Sequence, residues 1–400
     1  MKSRSDVDWR GQAEALRDQL VGWRRDLHAH PELGFEERRT ARVVAAELER
    51  LGYQVSTGVG RTGVVGLLES GRSGLVVLLR FDMDALPIEE ENNVPYRSQN
   101  PGVMHACGHD GHVAVGLGVA TLLARHQEAL TGTVKLMFQP GEEGMNGAPA
   151  MIDDGVLENP RPDVALAAHL WNDRPLGQVS AVAGPVMAAA EKWECRIHGS
   201  GGHGAAPHQT ADPLVAAAQV IGALQTVVSR NVNPQQTAVL TVGSIHGGDA
   251  FNIIPERVTL NGTIRTFDPE VRALVMRRLE EIACGTSAAL GCSAEVEVEG
   301  LTPAVVNDPE VTAVVRGVAA EMVGEESLIE LRTMGSEDMA YVNAQIPGCY
   351  ILVGSSNEAA GLARPHHCPQ FDFDEDVLPL MAALLAGAAA RYLQVRSVSQ

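Results

Sequence analysis

Nine residues, Met104-His105-Ala106-Cys107-Gly108-His109-Asp110-Gly111-His112, bring together three imidazoles, one thiol and one carboxylate. These are the donor types that zinc and related first-row divalent ions take from proteins. They stand just before the helix-like run 113–123, so metal binding is the first chemistry to consider. A plainer alternative is a polar helix start, with Asp110 near the positive end of the helix dipole and the histidines in solvent. A Cys107 nucleophile with His109 as its base is a third.

A second cluster, Phe138-Gln139-Pro140-Gly141-Glu142-Glu143-Gly144, closes an apolar run that reads as a strand. In a non-helical turn adjacent side chains diverge, so one carboxylate can bind metal while the other serves as a general base towards water. A solvated pair of loop acids is the ordinary explanation of such a dipeptide. His169 follows the apolar run 164–168, His366-His367 lies in a polar loop before the last helix, and Asp82-Met83-Asp84 ends another strand. One histidine at a strand end is ordinarily structural. Several such groups in one α/β domain are harder to explain that way, because each needs its own reason to be polar beside a core. The two aspartates fit direct coordination and a supporting or capping role equally well. A thiol nucleophile would leave the glutamate pair, His169 and His367 without a common purpose.

The elements that must position these groups are legible as alternating helices (9–28, 36–51) and short β-rich runs (53–57, 63–68, 75–81, 133–138, 164–170). Near-continuous apolar strands between helices imply a sheet buried on both faces, and hence an α/β three-layer sandwich. From about residue 187 the order becomes β-α-β-β-α-β, which is the ferredoxin-like split unit. The division expected is therefore a catalytic domain in two parts, 1–186 and 301–400, with an inserted α+β lid at 187–300. Gly58-Val59-Gly60-Arg61-Thr62-Gly63 fits a dinucleotide-binding pattern, but a strand follows it where that fold needs a helix, so it reads as a hairpin turn.

Composition narrows the class. The chain has 400 residues, 45% hydrophobic and 20% charged, which suits a globular protein of two or more domains. A net charge of −19 without a basic patch argues against nucleic-acid and anionic-membrane partners. The apolar stretch 377–390 contains Pro379 and Gly387 and is shorter than the ~20 residues a bilayer requires, so it reads as a buried terminal helix. The start, Met1 to Asp6, leads into a charged pattern with no apolar leader, and the six cysteines lack paired spacing. Reduced thiols and a cytoplasmic location are expected. With three lysines, no Gly-Lys-Ser/Thr phosphate loop and no Gly-x-Ser-x-Gly elbow, Schiff-base, phosphate-loop and serine-hydrolase chemistries find little footing.

The ordered set Leu27-His28-Ala29-His30-Pro31-Glu32-Leu33, Asp82-Met83-Asp84-Ala85-Leu86-Pro87, His105 to Asp110, Gly141-Glu142-Glu143-Gly144 and Gly335-Ser336-Glu337-Asp338 closely resembles the aminoacylase, hippurate hydrolase and indole-acetyl-amino-acid hydrolase branch of the dinuclear metallopeptidases. The likeness runs over nearly the whole chain. It implies two divalent ions per subunit, manganese or zinc foremost with cobalt or nickel compatible, held by Cys107, His109, Glu143, His169 and His367. Glu142 would be the catalytic acid/base, with Asp82 and Asp84 in support. His203, in Gly201 to His208, would stabilise the oxyanion, while Arg265 and Asn252 would contact the substrate; a guanidinium fork suits a carboxylate. Where the family pattern reads His-Ser-Pro, this chain has His367-Cys368-Pro369, placing a further thiol by the expected ligand. The activity implied is removal of the acyl group from a small-molecule N-acyl amino acid by a homodimer or higher homo-oligomer. A dipeptidase or carboxypeptidase of the same family, or a non-catalytic metal-binding homologue, are the alternatives.

Overall fold

The computed structural model describes residues 7–397, so the amino-terminal stretch Met1 to Asp6, read for a targeting signal, lies outside the described residues. Two compact units divide the chain. The first comprises Met1–Gly184, Val306–Leu331 and Asp338–Gln400; the second comprises Pro185–Val305 and Arg332–Glu337. The return of 332–337 to the second unit is a detail that a boundary at 300 leaves out.

In the first unit, helices α1 (Trp9–Glu14), α2 (Arg17–Ala29) and α3 (Arg38–Arg50) precede strands β1 (Gln54–Val59), β2 (Gly63–Glu69) and β3 (Val76–Asp82). Helix α4 (His109–Arg125), strand β4 (Thr133–Gln139), helix α5 (Gly147–Asp153) and strands β5 (Val164–Pro175) and β6 (Val179–Ser180) follow. The single helix expected at 9–28 is broken at Ala15-Leu16, and α4 begins four residues earlier than the apolar run suggests. Strands Gly348–Ser356 and β6 complete a seven-stranded sheet in the order β1-β2-β4-β3-β5, Gly348–Ser356, β6. β4, β3, β5 and Gly348–Ser356 run parallel, while β1 and β2 form an antiparallel hairpin across Gly60, as expected of the 58–63 turn.

Alternation along β3 shows why its run is apolar throughout. Val77, Leu79 and Phe81 enter one core, with residues of α2, α4 and the helix Val377–Ser397, while Leu78 and Arg80 are buried on the opposite face. The helix Val377–Ser397 is long and apolar enough to cross a bilayer by composition, but 89% of its apolar window is buried inside the protein. It is a core helix of this sheet.

The second unit is a four-stranded antiparallel sheet, Ala238–His246, Arg257–Thr266, Ala189–His198 and Ser293–Thr302 in spatial order, packed against helices Pro213–Thr226 and Pro269–Ala289. Both helices start at an Asp-Pro pair. The Asp212 and Asp268 carboxylates accept the first free backbone N–H groups, and proline fills a position with no N–H to lose.

Candidate metal centre

The four parallel strands end on one side of the first unit's sheet, which is where sites collect in open α/β sheets. Asp82 and Asp84 follow β3, Glu142 and Glu143 follow β4, His169 lies in β5, and the 366–367 loop follows the last strand. Gly108 caps α4 in a left-handed conformation (φ 89°), and a side chain there would meet Leu170 at 2.9 Å. That turn lets Cys107, just outside the helix, and His109, its first residue, face one point. Gly141, also left-handed (φ 57°), plays the same part before Glu142 and Glu143.

Two groups of donors share the Cys107 sulfur. Cys107, His109 and His169 form one, and Cys107, Glu143 and His367 the other, each with its ligand atoms within 4.8 Å of one another. His169 Nε2 lies 3.5 Å from Cys107 Sγ, and His367 Nε2 lies 3.2 Å from Glu143 Oε1. Glu142 adjoins the first through a further group with His109 and Glu143. All five expected ligands and Glu142 are thus gathered in the first unit, from stretches up to 260 positions apart.

The surrounding hydrogen bonds assign the ring tautomers. His109 Nδ1 donates to the Asp84 carbonyl at 2.9 Å, leaving a buried Nε2 with no hydrogen-bond partner. His169 Nδ1 donates to the Leu170 carbonyl at 2.5 Å, which turns its Nε2 lone pair to Cys107. Burial, with Glu143 alongside, pushes the Cys107 thiol well above its ordinary pKa, opposite to what a free nucleophilic cysteine needs. A buried imidazole nitrogen without a hydrogen bond, 3.7 Å from Asp82 Oδ2, a thiol that needs a cation to ionise and the Glu143 carboxylate are a donor set that fits divalent metal. His367 adopts a left-handed backbone (φ 64°), uncommon for a non-glycine residue, and its N–H donates to the Ala106 carbonyl at 2.8 Å. That bond fastens the 366–367 loop to the Cys107 loop.

The two aspartates contact the histidines of this cluster. Asp84 ties two of the expected ligands together: His109 Nδ1 also lies 3.2 Å from its Oδ1, and its Oδ2 accepts the Glu143 backbone N–H at 2.9 Å. Asp82 accepts from His112 Nδ1 at 2.5 Å and from the buried Arg80 at 2.6 Å. Asp82, His109 and His112 form a compact group as well. Since the Leu170 backbone N–H donates to His112 Nε2, that ring has no lone pair left to coordinate an ion. Cys368 packs against the apolar core and is in none of these groups.

Sequence reasoning gave no role to the buried network beneath this loop. Arg24, on α2, bonds Asp110 at 2.9 Å, Asp372 at 2.7 Å and Glu375 at 3.2 Å, with its guanidinium over the Phe373 and Tyr96 rings. His28 joins in, 2.7 Å from Asp110 and 3.2 Å from Glu90. Burial opposes ionisation of Asp110, but Arg24 and then His28 override it and hold that carboxyl well below its ordinary range. This contribution to stability is therefore present above about pH 4 and is lost as the pH falls. Arg24→Met, which takes the guanidinium from the buried Asp110 and Asp372 carboxylates, is expected to cost about 3–5 kcal/mol, measured by denaturant unfolding. A loss under 1 kcal/mol would mean that the network does not brace this loop.

His203, Asn252 and Arg265 belong to the second unit. His203 pairs with Ile253 in a two-stranded ribbon, and the Asn252 carbonyl accepts from the Gly204 N–H, so these two lie side by side and exposed. His203 Nδ1 accepts the Ala205 N–H at 3.0 Å, so a neutral ring carries its hydrogen on Nε2. Arg265 sits on Arg257–Thr266, half-buried, bonded to the Thr263 hydroxyl and to the Ile264 carbonyl at 3.0 Å.

The pattern of peptidase family M20/M25/M40 matches residues 78–391. The chain belongs to this family. Among M20/M25/M40 relatives, it is 42% identical over 381 residues to the IAA-amino acid hydrolase ILR1-like 4 of Arabidopsis thaliana, covering 94% of this chain and 86% of that one. It is 40% identical over 385 residues to the N-acetyl-L-cysteine deacetylase of Bacillus subtilis, covering 96% and 91%. The crystal structure of the Bacillus subtilis YXEP protein, a dinuclear metal binding peptidase of the M20 family, superposes with a TM-score of 0.84 at 32% identity, covering 95% of this chain and 99% of that one. This M20 chain is an amidohydrolase.

Proposed function

We propose that the protein hydrolyses the amide bond of N-acyl amino acids at a two-metal centre held by Cys107, His109, Glu143, His169 and His367. The observation that carries this reading is the pair of donor groups sharing one sulfur, with Glu142 at their side. When bound, divalent ions polarise an amide carbonyl and acidify water, and the mixed donor set suits manganese or zinc first, with cobalt and nickel compatible. Glu142 takes the proton of the attacking water and hands it to the departing amine nitrogen. Asp84 holds His109 and the Glu143 backbone in place while this happens. In this reading His203 offers its Nε2–H to the oxyanion, the Arg265 guanidinium receives the substrate carboxylate and Asn252 makes a substrate contact. A relative named for IAA-amino acid conjugates and one named for N-acetyl-L-cysteine support N-acyl amino acids as the substrate class. A cytoplasmic setting, which keeps Cys107 reduced, completes the proposal, and all six cysteines are free.

The test is hydrolysis of N-acetyl and N-benzoyl amino acids beside the matching dipeptides, with protein stripped by chelator and re-supplied with manganese or zinc. Activity on the acylated substrates should vanish on stripping and return with metal. A strict need for a free amino group would move the reading to a dipeptidase, and activity indifferent to stripping would move the chemistry to Cys107.

The second unit acts in this proposal as a lid that also pairs two subunits. Strand Ala238–His246 is an edge of its sheet, and Phe251 and Ile253 are exposed in the same unit. Light scattering should return a mass about twice the 42.5 kDa chain; a monomer at micromolar concentration would remove the dimer from the proposal.

A further inference from the structure

Three imidazoles converge on the backbone of one residue, Leu170, and only one of them belongs to the candidate ligand set. The Leu170 carbonyl accepts from His169 Nδ1 at 2.5 Å and from His366 Nε2 at 3.1 Å, while the Leu170 N–H donates to His112 Nε2 at 3.0 Å. The sheet explains why these groups are open to side chains. β3 pairs with β5 only as far as Ala167, so Leu170 has no strand neighbour on that side. Buried backbone groups need partners, and here imidazoles supply them.

His366 and His112 are each committed by these bonds. His366 carries a hydrogen on the nitrogen that faces the Leu170 carbonyl, since a carbonyl only accepts. Its faces pack against Trp171 (centroids 5.2 Å apart) and Phe371 (4.9 Å). His112 gives its Nδ1 hydrogen to Asp82, which Arg80 holds in turn.

We infer that His366 and His112 are positioning residues that hold the two peptide groups flanking Leu170, and through them aim His169 Nε2 at the Cys107 sulfur. The inference rests on the two-metal reading above. His169 hydrogen-bonds the carbonyl of its own successor in the chain, so its ring direction is only as fixed as that peptide plane. His366 shares the same acceptor, and His112 takes the N–H of the preceding peptide, the one that joins His169 to Leu170. Losing the His366 hydrogen bond loosens that carbonyl, which strand Gly348–Ser356 holds only from the far edge of β5, and His169 loses its aim while His367 and Glu143 keep theirs. A partner of this kind contributes about 10- to 100-fold in metal affinity.

The test is cobalt titration of the metal-free full-length protein, followed by stoichiometry and by visible d–d absorption, for the wild type, His366→Leu, His366→Gln and His169→Ala. The wild type should take up two equivalents. His366→Leu should bind one equivalent about 10- to 100-fold more weakly, the same one that His169→Ala removes, and leave the other unchanged. His366→Gln, whose amide nitrogen can donate from a similar place, should restore most of that affinity. Wild-type binding of both equivalents by His366→Leu would overturn the inference while leaving the two-metal reading intact. Equal weakness in the Leu and Gln variants would overturn it too, by assigning the effect to ring packing against Trp171 and Phe371. Uptake of fewer than two equivalents by the wild type would remove the two-metal reading and this inference together.

Discussion

Glu142→Gln should lower kcat by about 10²- to 10⁴-fold, the usual worth of a positioned general base, and leave both metal equivalents bound. The substitution keeps the shape of the side chain and removes its capacity to take a proton. Glu142 sits in a group with His109 and Glu143 but outside the two groups that share Cys107, so the ligand set survives intact. Metal analysis beside steady-state kinetics separates the outcomes. Loss of metal with loss of turnover would make Glu142 a ligand, and unchanged turnover would send the search for the base elsewhere.

The second large effect belongs to Cys107. Cys107→Ala removes the one donor common to both groups, so both equivalents should weaken by more than the roughly 10- to 100-fold typical of losing an outer partner. Activity should disappear at ordinary metal concentrations. The thiol-nucleophile alternative makes the opposite forecast: metal content unchanged, turnover gone, and Glu142→Gln still active. Running the two variants side by side therefore decides between the chemistries without a substrate analogue.

How much of this was legible beforehand depends on distance along the chain. Cys107 and His109 lie two residues apart and Glu142 and Glu143 are neighbours, so their clustering is visible to any local reading. The helical alternation and the Asp-Pro caps at 212 and 268 are local as well, which is why the βαββαβ order of the second unit could be read from spacing. The network of Arg24 with Asp110, Asp372 and Glu375 joins positions as much as 351 apart, and no local pattern marks a buried arginine in an otherwise amphipathic helix. The early start of α4 depended on Gly108 taking a left-handed cap, and the break after Glu14 on a turn at Ala15-Leu16 that hydropathy does not register. His112 had one available signal. It falls one turn after His109, so both rings project from the same face, and their stacking at 5.4 Å follows from that spacing. What its nitrogens bond to could only come from the fold.

The chain order of the proposed ligands has a consequence for when the centre can exist. Cys107, His109, Glu143 and His169 are all synthesised before the second unit begins, and His367 only after that unit and a further strand are complete. No amino-terminal fragment that stops short of residue 367 can close the Cys107, Glu143 and His367 group, however well its sheet has formed. Growing or truncated chains are thereby barred from assembling both halves of the proposed centre, and acquisition of the second ion would serve as a check that translation has passed residue 367.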